Sequence, residues 1–316
     1  MAQLAPSPAP SRILVTGAAG FVGGHLVPML RAAFPDAALF TPTTDITDAE
    51  AVARMVQDAA PDACIHLAAI AAIPAARTQP DHAWQVNLHG TLALAGAILR
   101  HAPACRLVFP SSADCYGGSF RSGMALDETA ALAPRNTYAA TKAAAELALG
   151  ALAAEGLRAI VLRPFNHTGP GQSDAFVVPA FARQVARIEA GLQPPVLNVG
   201  ALDPLRDFLD VRDVTDAYVA CLRTDWAPGT ILNIASGTPR RIGDVLAALV
   251  AMAGITASVS TGAALLRPAD IPTATGNAHA ARTALGWSPR IPWNQTLADV
   301  LDDWRQRVRA PEASLL

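Results

Sequence analysis

The chain has 316 residues, with 24 Lys and Arg against 26 Asp and Glu and a formal net charge of −2. That balance excludes recognition of nucleic acid or of an acidic membrane by a global field, so any anionic ligand has to be met by local arginines. The charged fraction is 16% and the apolar fraction 52%, much of it alanine, yet this length still buries a sizeable core as one large domain or one with a smaller companion.

The N-terminal "MAQLAPSPAPS" alternates prolines and carries no basic-then-apolar signal, so residues 1–10 read as a disordered tail. "RILVT" (12–16) is a short apolar strand, followed by a glycine-rich turn and the helical "FVGGHLVPMLRAAF" (21–34). "AALF" (37–40) is a second strand, and a helix begins near Thr47 with Asp48 and Glu50 in its first turn. "DACIHLAA" (62–69) is the third strand, His82 to His101 a long amphipathic segment, and "CRLVFPSS" (105–112) the fourth strand. Pro134 opens a helix that runs to about Glu155, and "RAIVLRPFN" (158–166) is the fifth strand. Strands separated by helices predict an α/β fold, a Rossmann-type doubly wound parallel sheet with helices on both faces.

After Asn166 the texture changes. "HTGPGQ" and "LQPPVLNVGALDPL" are loop-rich, a strand returns at "DFLDV" (207–211), a helix at Arg212–Arg223 and a strand at "TILNIASG" (230–237). The expected division is a sheet domain at 11–170 and 207–236, interleaved with a smaller mixed α/β lobe at 171–206 and 237–316. The longest uncharged apolar window, Val245 to Val259, is too short for a membrane span. Cys64, Cys105, Cys115 and Cys221 have no metal-ligand spacing, so no metal is expected, and reduced thiols in a cytoplasmic protein are the simplest reading.

"TGAAGFVGG" sets Gly17, Gly20 and Gly23 as G-x-x-G-x-x-G between strand one and the first helix. A helix N-terminus offers free N–H donors and partial positive charge, and glycines let a pyrophosphate approach the backbone, so this turn predicts dinucleotide binding. The end of strand two, "LFTPTT", has no acid before Asp45 to bind a ribose and no arginine to grip a 2′-phosphate. Thr41, Thr43 and Thr44 remain as phosphate partners, which favours NADP(H), with NAD(H) as the alternative.

Lys142 is the only lysine in the chain, and it falls four residues after Tyr138, one of only three tyrosines. Chance alone would put it there about once in a hundred sequences. At i and i+4 the two share a helix face, where an ammonium is expected to favour the phenolate and lower the phenol's pKa toward neutrality. Lysine suits this better than arginine because its charge is compact.

With the glycine turn and Tyr138-x-x-x-Lys142 in place, the chain resembles the extended short-chain dehydrogenases/reductases, which act on nucleotide sugars. Their third signature, a Ser or Thr after strand four, falls on Ser112, four residues before the tyrosine of "SSADCYG". The resemblance implies that Ser112 hydrogen-bonds the reacting oxygen, Tyr138 exchanges its proton and Lys142 also holds the nicotinamide ribose. It assigns cofactor contacts to Gly17, Gly20, Phe21, Val22, Gly23, Asp45, Ile46, Leu67, Ala68, Ala69, Asn87 and Phe165, beside Tyr138 and Lys142.

The second half narrows the resemblance. "RPFNHTGPGQ", "RDFLDVRDV", "RPADIP" and "LGWSP" are similar to the GDP-6-deoxy-4-keto-D-mannose reductases, which make GDP-D-rhamnose. A bidentate guanidinium suits a diphosphate, and Arg206 and Arg267 each lie in a loop-like setting. The resemblance implies that they and Asn166 contact the diphosphate of a GDP-sugar, with Arg183, Asp114 and Asp270 also at the substrate, and that the protein is a homodimer. A 4,6-dehydratase would carry Glu two residues after the Ser/Thr, and here Asp114 is one methylene shorter; a 4-epimerase would use the same three residues. From another class, a dinucleotide-sensing protein with a dead site would lack the intact Ser112, Tyr138 and Lys142.

If the compact ammonium is what the site needs, Lys142→Arg will be badly impaired although it keeps the charge. A rate assay that finds parental activity in this variant would make the lone lysine an accident of composition.

Overall fold

The computed structural model describes residues 4–262 and 271–309. Its first layer is a six-stranded parallel sheet in the order β2-β1-β3-β4-β5-β9. These strands are β1 (Arg12–Thr16), β2 (Ala38–Phe40), β3 (Ala63–His66), β4 (Arg106–Pro110), β5 (Ala159–Pro164) and β9 (Thr230–Ile234). The strand order reverses between β1 and β3, so their C-terminal ends open the crevice where such sheets take ligands.

Both faces are covered, which is why the strands read as near-continuous apolar runs. On one face α1 (Phe21–Ala33) and α8 (Val211–Arg223) bury Leu26, Leu30, Val214 and Tyr218 against Ile13, Val15 and Ile65. On the other, α2 (Ala49–Ala59), α5 (Thr91–His101) and α6 (Thr137–Ala154) bury Val52, Val56, Leu94, Ile98 and Leu149 against Leu14, Cys64 and Phe109. All four cysteines are buried and free.

A smaller, mixed sheet is built on β8 (Leu205–Asp210). It pairs in parallel with β6 (Asn166–Thr168) and β12 (Thr273–Ala274) and antiparallel with β10 (Pro239–Arg241). A third core fills the space among α7 (Val177–Glu189), α9 (Ile242–Ala253), α11 (Trp293–Arg309) and β7 (Val196–Val199), with Phe208 of β8 reaching into it.

Five expectations are corrected. The strand expected at 207–211 runs Leu205–Asp210 and belongs to the smaller sheet, because its neighbours there satisfy its backbone on both edges. Asn166, expected to end the fifth strand, and His167 and Thr168, read as loop, form a separate strand beside it. The helix expected from Pro134 begins at Thr137, where the Asn136 side chain caps it by accepting the Ala139 N–H at 2.9 Å. The tail is ordered from residue 4: Ser7 N–H donates to the Arg223 carbonyl at 2.8 Å, Asp225 N–H to Ala5 at 2.8 Å, and the buried Arg106 guanidinium donates to the Ser7 hydroxyl. The segment expected over 82–101 is helical but interrupted. It consists of α4 (Pro80–Trp84), a π turn (Gln85–Gly90) and α5, and the wider turn carries the buried Asn87. The short helix before it, α3, spans Ile73–Thr78.

A buried ion pair ties β5 to α6. Arg163 Nε donates to both carboxylate oxygens of Glu146 at 3.0 and 3.1 Å, and its Nη1 donates to the Tyr116 hydroxyl at 2.8 Å. Tyr116 in turn donates to Asn233 Oδ1 of β9 at 2.8 Å. With the two charged side chains 4% and 3% exposed, removing one strands the other in a dry interior. Glu146→Ala should therefore cost on the order of 3–5 kcal/mol in a urea titration, and the double variant Arg163→Met, Glu146→Leu should cost less than that single change.

Candidate active site

The glycine turn leaves β1 at Thr16. Gly17 has φ +69°, and a Cβ there would stand 2.5 Å from the Ala68 nitrogen and 2.7 Å from the Leu67 carbonyl carbon. Only glycine lets the turn lie so close to the chain that leaves β3. A Cβ on Gly23 would meet the Ala18 carbonyl oxygen at 2.2 Å, so α1 packs on the turn itself. Helix α1 opens after Gly20 with no side-chain cap and no acidic residue in its first turn. Beside it lies a cleft of ≈ 430 Å³ lined by Ala19, Gly20, Phe21, Gly24, His25, Pro170 and Gly171.

A hydrogen-bond chain connects this turn to α6. The Thr16 hydroxyl meets His66 Nδ1 at 2.7 Å, and His66 Nε2 meets the Thr91 hydroxyl at 3.0 Å. Thr91 spends its one proton on the Asn87 carbonyl at 2.7 Å, so His66 donates from Nε2 and accepts at Nδ1. Asn87 Nδ2 donates to the Thr141 hydroxyl at 2.9 Å, and Thr141 donates to the Tyr138 carbonyl at 2.8 Å. Burial, and after it the charge of Lys142, push the His66 imidazole down to about 3, so it is a neutral relay of hydrogen bonds. Thr16, His66, Thr91 and Thr141 were not singled out in the sequence, where isolated Thr and His on apolar elements carry no pattern.

Three residues named from sequence meet at the end of β4. The Ser112 hydroxyl accepts the Asp114 N–H at 3.1 Å and is hydrogen-bonded to the Tyr138 phenol, which stands in the first turn of α6. Lys142, one turn on and 5% exposed, donates from Nζ to the Pro110 carbonyl at 2.7 Å, with Nζ 4.7 Å from the centre of the Phe109 ring. Burial pulls its ammonium down to about 8. The expected lowering of the Tyr138 phenol is corrected. Burial raises it above its ordinary value, the nearby Asp114 charge adds to the rise, and the Ser112 hydrogen bond only opposes them. The ammonium is committed to the carbonyl at the end of β4, and the phenol keeps its proton.

Asp114 is half-buried, and its charge faces Arg206 as well as Tyr138. The Arg206 guanidinium is held by the carbonyls of Leu205 at 2.8 Å and Ile271 at 3.1 Å. Asn166 is exposed on β6, in register with Phe208. Arg183 is exposed and paired with Asp174 at 2.8 Å. Arg267 and Asp270 lie outside the described residues.

The remaining residues named from sequence divide in two. Phe21, Val22, Leu67, Ala68 and Ala69 are half-buried around the glycine turn. Asp45 is exposed, its carboxyl lowered by the Thr47 N–H and hydroxyl that donate to it at 2.9 and 2.8 Å. Ile46 is buried. Asn87 spends its carboxamide on the protein, accepting the Ile70 N–H at 2.8 Å and donating to Ile70 and Thr141. Phe165 is buried in an aromatic cluster with Tyr116 and Phe120. Among the described residues no group of three or more His, Cys, Asp or Glu could hold a metal ion, and no helix is long and apolar enough to cross a membrane.

The parallel sheet, the glycine turn and the Ser-Tyr-Lys cluster define an extended short-chain dehydrogenase/reductase. The chain belongs to the NAD dependent epimerase/dehydratase family, whose model matches residues 13–235. It is 38% identical to GDP-6-deoxy-D-mannose reductase of Pseudomonas aeruginosa over 94% of this chain and 98% of that protein. The structure of RMD from Pseudomonas aeruginosa complexed with NADPH superposes with a TM-score of 0.86 at 35% identity, covering 94% of this chain and 99% of the other. A Thermus thermophilus UDP-glucose 4-epimerase complex with NAD superposes at 0.81 with 29% identity, covering 93% and 99%.

The buried ammonium of Lys142 carries a pH signature. It gives up its proton more readily in the folded chain than in the unfolded one, so its charge costs stability below about pH 8. That cost fades as the pH rises from about 8 toward the ordinary lysine range. The stability of Lys142→Met relative to the parent should therefore be greatest near pH 7, and this advantage should shrink in thermal or urea unfolding as the pH rises above 8.

Proposed function

We propose that this protein reduces the C4 ketone of GDP-4-keto-6-deoxy-D-mannose with NADPH to give GDP-D-rhamnose. The observation that carries the reading is the meeting of Ser112, Tyr138 and Lys142 at the end of β4, in a chain similar along its length to GDP-6-deoxy-D-mannose reductase. Reduction of a ketone needs a proton at the carbonyl oxygen as well as a hydride at carbon, and a protonated phenol supplies the first.

The residues fit a dinucleotide. An α1 N-terminus with no side-chain cap and no acid in its first turn, next to glycines that offer only backbone, suits a pyrophosphate. Gly17, Gly20, Phe21, Val22 and Gly23 would hold it, with Asp45 and Ile46 toward the adenosine and Leu67, Ala68 and Ala69 along the crevice. When bound, NADPH supplies the hydride. The NADPH complex of the Pseudomonas aeruginosa protein supports that choice, and the NAD complex of the epimerase keeps NADH as the alternative.

Tyr138 donates its proton to the C4 oxygen as charge builds there, and Ser112 hydrogen-bonds the same oxygen. Lys142 is largely charged at neutral pH, and the likeness to the family gives it a second role, holding the ribose of the cofactor. Arg206 and Asn166 stand on neighbouring strands of the smaller sheet, where they take the diphosphate; Arg183 reaches the nucleotide, Asp270 contacts the substrate, and Arg267 is a second phosphate partner. A reductase has no need of a base at C5, so the short Asp114 is sufficient in a reductase and limiting in a dehydratase.

GDP-4-keto-6-deoxy-D-mannose supplied with NADPH should consume cofactor and yield a 6-deoxy sugar nucleotide identified by NMR. Tyr138→Phe should lower kcat by about 10²–10⁴-fold while NADPH still binds in a fluorescence titration. Conversion of GDP-mannose to the keto sugar without cofactor consumption would make the protein a dehydratase. Interconversion of UDP-glucose and UDP-galactose would make it an epimerase.

A further inference from the structure

We infer that His25 is a positioning residue for the dinucleotide, a latch from helix α1 that holds Pro170 and Gly171 as the outer wall of the pyrophosphate cleft; this rests on reading the glycine turn as the dinucleotide site. His25 lies one turn inside α1 and its Nε2 meets the Pro170 carbonyl at 2.7 Å. The acceptor is a carbonyl, so His25 is the donor. Its ring meets Phe21 edge to face, with centroids 5.4 Å apart, and Phe21 stacks on His167 at 6.3 Å with the planes 9° apart. His25, Phe21, Pro170 and Gly171 all line the cleft beside Gly20.

The loop that forms this wall has no regular structure of its own. It is shaped from within by Thr168, whose hydroxyl donates to Gln172 Oε1 at 2.7 Å, and by Gln172 Nε2 on the His167 carbonyl at 3.1 Å. From the far side α11 holds it: Gly171 N–H donates to Asp303 Oδ2 at 3.0 Å, and Arg307, paired with Asp303 at 2.9 Å, donates to the Gln172 carbonyl at 3.3 Å. Those ties fix the loop to the smaller lobe. Among the described residues, the polar tie that fixes it to α1 is His25. Without it the wall still follows α11, but its distance from the N-terminus of α1 is no longer set, and the cleft loses one side. The same loop follows β6, so the latch also links the glycine turn to the strand that carries Asn166.

Two variants separate the bond from the packing. His25→Phe keeps a ring against Phe21 and removes the donor; His25→Gln removes the ring and keeps an N–H of similar reach. NADPH affinity, measured by fluorescence titration without any sugar nucleotide, should weaken about tenfold in His25→Phe through faster release, and His25→Gln should recover it to within about threefold. Thermal melting of each variant without cofactor should not follow this order. If His25→Phe binds as the parent does, or His25→Gln binds as weakly as His25→Phe, the latch is overturned and the dinucleotide reading stands. If the parent itself binds no NADPH, the reading of the site fails and the latch falls with it.

Discussion

A buried ammonium has to find an oxygen, and Lys142 finds the carbonyl of Pro110. That contact fixes the start of α6 against the end of β4, two elements from distant parts of the chain. Because Tyr138 lies one turn before Lys142, the same contact places the phenol over Ser112, which follows Pro110 by two residues. The geometry of three side chains thus reduces to one hydrogen bond and one helical turn. Its cost is visible in the lowered ammonium, a site that gives up stability to keep a charge where water cannot reach it.

The glycine turn is brought to the same place by a second device. From Thr16 through His66, Thr91, Asn87 and Thr141 to the Tyr138 carbonyl, each donor is matched to an acceptor in a dry interior. Such a chain tolerates no shift of β1 relative to α6, since any break would leave a buried polar group unpaired. The π turn is what brings Asn87 to Thr141 and Ile70 at once. The glycine turn and Tyr138, built on separate units, therefore behave as one rigid frame.

The smaller sheet is anchored differently, by carboxylates. Asp207 of β8 accepts from the N–H groups of Ser236, Gly237 and Gly276 and from the Ser236 hydroxyl, while Asp213 of α8 accepts from Arg290 and Ile291. These acids look like ligand groups in a list of residues, but their oxygens are spent on backbone. Arg206, next to Asp207, has only carbonyls for hydrogen-bond partners among the described residues, with the Asp114 charge facing it.

Much was legible in the residues alone. Alternating apolar runs and helical periods dictate the parallel sheet, because each strand buried on both faces must be apolar throughout. The glycine spacing dictates the tight turn, since a Cβ at Gly17 or Gly23 would strike backbone. Tyr138 and Lys142 share a face because four residues are about one helical turn. What the tertiary structure decided is everything that depends on partners far away in the chain. Sheet membership of Leu205–Asp210 and Asn166–Thr168, docking of the tail on Arg106, and the inward turn of Asn87 all follow from which neighbour supplies the missing hydrogen bond. The protonation of Tyr138 belongs to the same group. Local spacing puts a cation one turn away and argues for a low pKa, whereas burial and the Asp114 charge raise it, and these are set by packing that no short window of sequence contains.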